Sequence, residues 1–362
     1  MAPWLVTSAM RTHGPGLGIL VLVVLCSCAG RPILWQRWDL PAPGVDSPLR
    51  LYTRMQALEE RLHRDHLSPE GLLLYRIPSE PHPEAGTRLD LADQACWSGY
   101  LLAALSFQYA CEPSRELLHT IRRVCRGLGL LHDVTGTPGL LARCVLPVEL
   151  APLVQHHPED WHSSTTHPEL AWRGDVSKDQ YSGYVFGWCA ALLLIQDTEV
   201  QATGQRVLRD VAHHLEAGGL RIRDGAGRVT TFGDLRGRIY GVPIGVNSVL
   251  SLAMLRSAAQ FAPDSVLAAT VGWRTPELLA TLEPLHFELF GIRNYNNDLM
   301  AAVGLATLAL LPNSVDLRRP LRKVLRGFLS AFRGEGNAFF VSLAALYGIR
   351  DPEQERHAYL NL

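Results

Sequence analysis

The strongest constraint on the fold is an alternation between two kinds of predicted helix. Five segments are apolar on every face, which is typical of helices buried inside a domain. They are residues 89–111, 181–195, 246–261, 298–311 and 338–347. Between them lie segments with a single apolar stripe, as expected of helices that cover a core. These are residues 114–131, 199–216, 275–285 and 317–332. Because no series of strands with period 2 competes with this pattern, the sequence predicts an all-α fold of helical hairpins.

One short stretch favours β-structure. Gly225 and Gly227 provide the signals of a tight turn between two short extended segments within residues 220–231. We therefore expect at most a small β-hairpin there, at the edge of the helical domain.

The predicted buried helices share a polar start. The polar positions are Asp93, Asp179, Asn247, Asn297 and Asn337. Hairpins with an apolar inner helix and an amphipathic outer helix can close into a ring, the α/α toroid. In such a ring the polar starts would face a common centre.

This layout resembles the six-hairpin glycosidase-like superfamily, over roughly residues 50–350. The segments that carry the resemblance are Asp93 with residues 97–100, followed by residues 135–143, 174–179, 223–233 and 333–337. The resemblance implies an α/α toroid with a central cleft and a carbohydrate as partner. It is a resemblance of layout, because none of these segments is a catalytic signature of one enzyme family.

Composition and charge exclude several classes of function. The chain has 362 residues, of which 47% are hydrophobic, and a formal net charge of -1. A chain of this length and hydrophobic content can form a large core, and we expect a single toroid domain over residues 49–362. No basic cluster is long enough to track a phosphate backbone, so nucleic acid is not an expected partner. No phosphate-binding loop, esterase elbow or zinc-protease motif occurs, and we expect no cofactor and no metal.

The first 28 residues predict an export signal rather than part of the fold. Arg11 precedes a short apolar run, residues 17–25, which is too short to span a bilayer as a stable helix. The sequence that ends at Cys28 resembles a bacterial lipobox, which implies lipidation of Cys28 and a membrane anchor in the cell envelope, at the outer membrane. The alternative is an ordinary signal peptide cleaved near Ala29, which would give a secreted protein. Residues 29–48 are rich in proline and predict a tether.

Five cysteines follow the signal, in a compartment where disulfides can form. They are Cys96, Cys111, Cys125, Cys144 and Cys189. Their neighbours are apolar, which favours buried thiols; one disulfide is the alternative, and no spacing indicates a zinc site.

The densest group of polar and aromatic residues is the stretch 172–184, directly before a buried helix. Asp175 and Asp179 are the leading candidates for a pair of catalytic carboxyl groups, because glycoside hydrolysis needs two. Four residues apart, they share a face if the segment is helical; in a loop, both still precede the buried helix. Two alternatives remain open: Asp175 or Ser177 caps a helix that starts near Lys178, or the acids bind calcium.

Other polar helix starts supply further candidates. Asp93 and Glu335 are alternative catalytic carboxylates. The candidate substrate-binding residues are aromatic, amide or cationic side chains near the helix starts, able to stack on sugars or bond to them. They are Trp97, Arg143, Trp172, Gln180, Tyr181, Tyr184, Tyr295 and Asn297. The alternative for each aromatic residue is a place in the core, and for each polar residue a capping role.

Two hypotheses of function follow. In the first, an exported lipoprotein binds a glycan in the cleft and is a candidate glycoside hydrolase. In the second, a non-catalytic envelope lipoprotein binds a saccharide or a protein partner. Fold alone does not separate them, because function depends on the site.

Overall fold

A computed structural model describes residues 48–78, 87–153, 157–286, 288–289, 292–312, 315–332 and 335–360. The predicted signal, Cys28 and the tether up to residue 47 lie outside the described residues. Helices dominate the described part, which confirms the predicted helical class. The helices are α1 (Pro48–Arg61), α2 (Gln94–Cys111), α3 (Arg115–Asp133), α4 (Lys178–Leu194), α5 (Thr198–Ala217), α6 (Gly245–Phe261), α7 (Ser265–Leu279), α8 (Tyr295–Leu310), α9 (Val315–Ser330), α10 (Ala338–Leu346) and α11 (Pro352–Leu360).

The helices that are apolar all round form the interior. Helix α2 packs on α4, α4 and α6 both pack on α8, and α8 packs on α10. Each of these inner helices also contacts an amphipathic neighbour: α3 lies on α2, α5 on α4, α7 on α6, and α9 on α8 and α10. In α3 the buried residues Leu117, Ile121, Val124 and Leu128 recur at intervals of three and four, as one buried helix face requires. One cluster of buried apolar side chains extends from Leu67 to Tyr347.

Helices α2 and α4 cross with their backbones in contact. A Cβ atom built on Gly99 would lie 2.2 Å from the carbonyl oxygen of Gly183, and one on Gly183 would lie 2.4 Å from that of Cys96. Gly187 repeats the pattern, since its Cβ would lie 2.3 Å from the Gly99 oxygen. Only glycine fits at these three positions, and the crossing holds the start of α4 close to the start of α2.

The described part of the chain contains five small antiparallel sheets, so the prediction of at most one β-hairpin is wrong. The predicted hairpin is present as β6 and β7, and the other strands are too short to give an alternating pattern in sequence. The strands are β1 (Tyr75–Pro78), β2 (Thr87–Asp90), β3 (Cys144–Pro147), β4 (Trp161–Ser163), β5 (Leu170–Arg173), β6 (Arg221–Arg223), β7 (Val229–Asp234), β8 (Arg238–Ile239), β9 (Val242–Pro243), β10 (Glu288–Leu289) and β11 (Ile292–Arg293). Strands β3, β5 and β4 form one sheet in that order, with Cys144 opposite Arg173, and the others pair two by two.

Three helices differ from the predicted pattern. Helix α7 begins ten residues before the predicted start at 275, because Asp264 caps it by accepting from the Leu267 N–H at 2.9 Å. Helix α11 is not among the predicted helices. The segment at 89–93, predicted as the start of a helix, instead ends strand β2 and turns into α2 at Asp93.

Within the described ranges, no helix combines the length and the apolarity that a membrane span requires. No disulfide links any of the five cysteines, all of which lie in the described part of the chain.

Candidate functional site

The first turn of α4 links the starts of three other inner helices. Three consecutive side chains of this turn each bond to a different helix. The pairs are Lys178 with Asn247 in α6, Asp179 with Asn296 in α8, and Gln180 with Asp93 at the start of α2. The polar starts of α2, α4, α6 and α8 therefore meet at one place.

The local sequence explains why Gln180 points toward α2. Ser177 is the N-cap of α4, and Gln180 is the third residue of the helix. The Gln180 side-chain oxygen accepts from the Ser177 backbone N–H at 2.8 Å and from its hydroxyl at 2.6 Å. This arrangement resembles a capping box and leaves the amide nitrogen of Gln180 free to donate to Asp93. The capping role considered for Ser177 is thus present, and it orients the link to α2.

Asp93 receives a second donor from Arg143. The guanidinium of Arg143 reaches an Asp93 oxygen at 3.2 Å, the Ala92 carbonyl at 2.9 Å and the Asp175 carbonyl at 3.1 Å. The Asp93 carboxylate is therefore held by side chains from two different segments, while its side chain remains 44% exposed.

Asp175 and Asp179 do not share a helix face, because α4 begins at Lys178 and Asp175 precedes it. The Asp175 backbone is left-handed, with φ of 44°. Its carboxylate accepts from the backbone N–H of Thr231 in β7 at 2.7 Å. Asp175 therefore ties the loop before α4 to the β6–β7 hairpin.

Asp179 has a different environment. Its carboxylate is partly exposed and accepts from the side-chain amide of Asn296 at 2.6 Å. Because Asn296 is itself exposed, an incoming polar group can compete for this contact. Asp179, like Asp93, combines a solvent-accessible position with a partner from another inner helix, but no cationic side chain bonds to Asp179 among the described residues.

Lys178 brings a partly buried positive charge to the same place. Its ammonium donates to the Asn247 side-chain oxygen at 2.9 Å, and Asn247 is held in turn by donating to the Arg236 carbonyl at 3.1 Å. Burial lowers the pKa of Lys178, while the charges of Asp179 and Asp234 act in the opposite direction. The four helix starts add the partial positive charge of their free N–H groups, which favours nearby carboxylates and other acceptors.

Three of the predicted binding residues are buried, and one of them is Gln180, whose side chain is engaged by Ser177 and Asp93. Tyr181 and Tyr184 are fully buried, and their hydroxyls donate to the carbonyls of Gly139 at 2.8 Å and Leu128 at 3.1 Å. Burial raises the pKa of both phenols. In these positions the two rings hold α4 to neighbouring segments and present no face to a ligand.

The other predicted aromatic residues lie nearer the surface. Trp97 is partly buried in α2 and packs edge-on against Tyr100, with ring centroids 5.8 Å apart. Trp172 lies in β5 against His162, with centroids 4.5 Å apart. Tyr295, at the start of α8, is 50% exposed, and its ring packs edge-on against Phe332 with centroids 5.9 Å apart.

Two further candidate site residues lie at helix starts but take no part in the three hydrogen bonds that the first turn of α4 makes to other helices. The Asn297 backbone N–H donates to the side chain of Asn294, the N-cap of α8, at 3.2 Å. Glu335 lies in the turn before α10, where its backbone N–H donates to the Phe332 carbonyl at 3.3 Å.

Lys178, Asn247 and Asn296 are not among the candidate site residues from the sequence, although Asn247 is one of the polar helix starts expected to face the centre. The signal was present, since each is a polar residue in the first turn of a helix that is otherwise apolar. What was missing was the partner of each, which depends on how the helices cross.

Among the described residues, no group of three or more His, Cys, Asp or Glu side chains is arranged to hold a metal ion. No protein-family model, curated protein or solved structure gives a significant match to this chain.

Proposed function

We propose that the helices form an α/α toroid and that the site at the converging helix starts is its central cleft. The pairing of each inner helix with an amphipathic outer neighbour supports this arrangement. So does the meeting of four inner helices at their polar ends, which is what a ring of hairpins would require.

We propose that this site binds a saccharide. The observation that carries the proposal is the set of three links made by Lys178, Asp179 and Gln180. The partly exposed Asp179 carboxylate and the exposed Asn296 amide supply an acceptor and a donor for the hydroxyls of a sugar ring, with the Lys178 ammonium beside them, whereas the Gln180 amide is buried. The half-exposed ring of Tyr295 can add an apolar face to stack on the sugar.

Binding is better supported than hydrolysis. Hydrolysis needs two carboxyl groups on either side of the glycosidic bond, one of them able to donate a proton. Asp175 is held by a backbone N–H, and Asp93 by Arg143 and Gln180, as expected of structural carboxylates. The second candidate, a glycoside hydrolase, depends on Asp179, whose accessible carboxylate is suited to acid or base chemistry.

A glycan array with the purified protein tests the binding proposal. We expect binding to a defined class of saccharides, and Kd raised by about tenfold or more in Asp179→Asn, since a hydrogen bond to a charged group contributes about 1.5–3 kcal/mol. Glu277→Gln is the matched control, because Glu277 is exposed on α7. Absence of binding to every saccharide, or equal loss in both variants, would contradict the proposal.

The same preparation tests the second candidate. Release of reducing sugar from a bound glycan by the wild type, and its loss in Asp179→Asn, would support hydrolysis. Equal rates in the two proteins would remove Asp179 from the catalytic role.

We also propose that the chain is an exported lipoprotein of the cell envelope, attached through Cys28. The apolar run at residues 17–25 and the lipobox-like sequence that ends at Cys28 support this proposal. Mass spectrometry of the mature N-terminus should find an acylated Cys28. An unmodified terminus near Ala29 would instead support the secreted alternative.

A further inference from the structure

A second polar surface lies away from the saccharide site. A groove of about 1060 Å³ runs between α9 and the end of α10, and none of the candidate saccharide-binding residues lines it. Five of its lining residues are cationic and none is acidic. The cations are Arg318, Arg319, Arg322, Lys323 and Arg326.

Helix α9 holds these cations on one rigid surface. Its opposite face is packed into the core by residues at helical spacing, including Leu317, Leu321 and Phe328. The cations occupy the exposed face between them, over eight residue rises or about 12 Å. Because the helix is already packed, a ligand need not order the backbone that carries these charges.

The positive charge of this groove is mostly not neutralised within the described part of the chain. Arg318, Arg319 and Arg326 have no carboxylate within 4.0 Å there, whereas Lys323 lies 3.4 Å from Glu283. Arg322 donates to the Gly348 carbonyl, which removes no charge.

Several arginines on the other amphipathic helices are instead paired with carboxylates. Three ion pairs join α3 and α5 or the residue that caps α5. They are Arg122–Asp197, Arg126–Glu199 and Arg206–Asp133. The chain as a whole is nearly neutral, with a formal charge of -1. An unneutralised basic surface on such a chain indicates an anionic partner.

We propose that the α9–α10 groove binds the headgroups of anionic phospholipids and that it is the surface by which the domain faces a membrane. Charge complementarity favours this partner, since each Lys or Arg near an anionic bilayer adds to the attraction. The chain before α1 supplies the second argument, because the apolar run at residues 17–25 and Cys28 predict attachment to a membrane. Leu346, 43% exposed at the rim, adds apolar contact.

The dimensions favour headgroups over nucleic acid. A row of cations about 12 Å long spans only a few phosphates of a duplex, and the remainder of the chain is net acidic, with 29 of the 34 Lys and Arg against 35 Asp and Glu. Phosphate groups of two or three neighbouring lipids fit the same length.

Co-sedimentation of the full chain with vesicles tests this proposal. Partition onto phosphatidylcholine vesicles is compared with partition onto vesicles that also contain about one third phosphatidylglycerol. The N-terminal apolar segment contributes to both, so the ratio of the two partition coefficients reports the electrostatic contact. We expect the ratio to exceed one and to fall toward one at high salt.

A charge-removing variant locates the contact. In the double variant Arg318→Gln, Arg326→Gln, the ratio of the two partition coefficients should fall by about 30-fold, or to one if the wild-type ratio is smaller than that. The control pair, Arg115→Gln with Arg238→Gln, removes the same charge from exposed positions outside the groove and should leave the ratio nearly unchanged. Far-UV circular dichroism establishes that all variants are folded.

Three results would overturn the proposal. They are equal partition of the wild type onto both kinds of vesicle, an equal loss in the control pair, and retention of duplex DNA or inorganic phosphate in the groove without binding to anionic vesicles. Glycan binding depends on other residues, so its failure would leave this result interpretable.

Discussion

The close crossing of α2 and α4 makes Gly183→Ala the most informative single change. The new Cβ would lie 2.4 Å from the Cys96 carbonyl oxygen and 2.9 Å from the Cys96 Cα. Carbon and oxygen atoms in contact are normally about 3.3–3.6 Å apart, so the helices must separate by about 1 Å. The obstructing atoms belong to the backbone and cannot move to another rotamer.

The expected change in the free energy of unfolding of Gly183→Ala is the sum of two opposing effects. Overpacking a core costs about 1–3 kcal/mol, and a clash with backbone belongs at the upper end of that range. Alanine is the better helix former and regains about 1 kcal/mol. We therefore expect Gly183→Ala to lower the free energy of unfolding by about 2 kcal/mol.

Urea unfolding followed by far-UV circular dichroism measures this change. Gly272→Ala in α7 is the matched control, because its Cβ would meet nothing within 4 Å. There the gain in helix propensity is unopposed, and stability should rise by up to about 1 kcal/mol. If Gly183→Ala proved as stable as the wild type, the backbone contact between the helices would be refuted.

Three further changes test other parts of the structure. Arg143→Met removes three hydrogen bonds of a mostly buried guanidinium and should lower stability by about 2–3 kcal/mol in urea unfolding; a loss below about 0.5 kcal/mol would contradict its role. Burial acts to raise the pKa of Asp133, but the hydrogen bonds from His132 and Arg206 outweigh it and lower the pKa to about 2. The ionised Asp133 carboxylate therefore stabilises the fold fully above the pKa that Asp133 has in the unfolded chain. This stabilisation is lost as the pH falls from about 4 to 2, and it amounts to on the order of 1 kcal/mol after allowance for solvent exposure. Arg206→Gln should flatten this acid dependence of unfolding, and an unchanged pH profile would contradict the assignment. Burial also raises the pKa of Cys189 to about 12, so a thiol reagent should label it only on unfolding, and rapid labelling of the native protein would contradict its burial.

The sequence was sufficient to predict the inner helices because their burial leaves a signal on every face. Helices α4 and α6 begin within three residues of the predicted starts. Helix α7 was misplaced because few of its residues are buried, among them Leu267 and Leu278, and its apolar pattern is weak. The short strands could not be predicted, since two to six residues do not establish an alternating period.

The candidate site was predictable in place but not in detail. The density of polar residues pointed to the start of α4, where the structure has the three links to other helices. The link from Gln180 to Asp93 joins residues 87 apart in the chain, and no local pattern reveals such a pair. Tyr181 and Tyr184 were predicted to bind substrate but are buried. The local sequence around an aromatic residue near a helix start does not distinguish a ring that contacts a ligand from one that packs in the core.

We propose that one saccharide contacts the starts of four inner helices, and hydrogen exchange with the saccharide bound tests this proposal most directly. Backbone N–H groups in the first turn of a helix lack intrahelical partners and exchange readily until a ligand covers them. We expect the saccharide to slow exchange together in residues 93–98, 178–184, 245–250 and 295–300. Protection confined to one of these segments, or found only at the α9–α10 groove, would contradict a shared site.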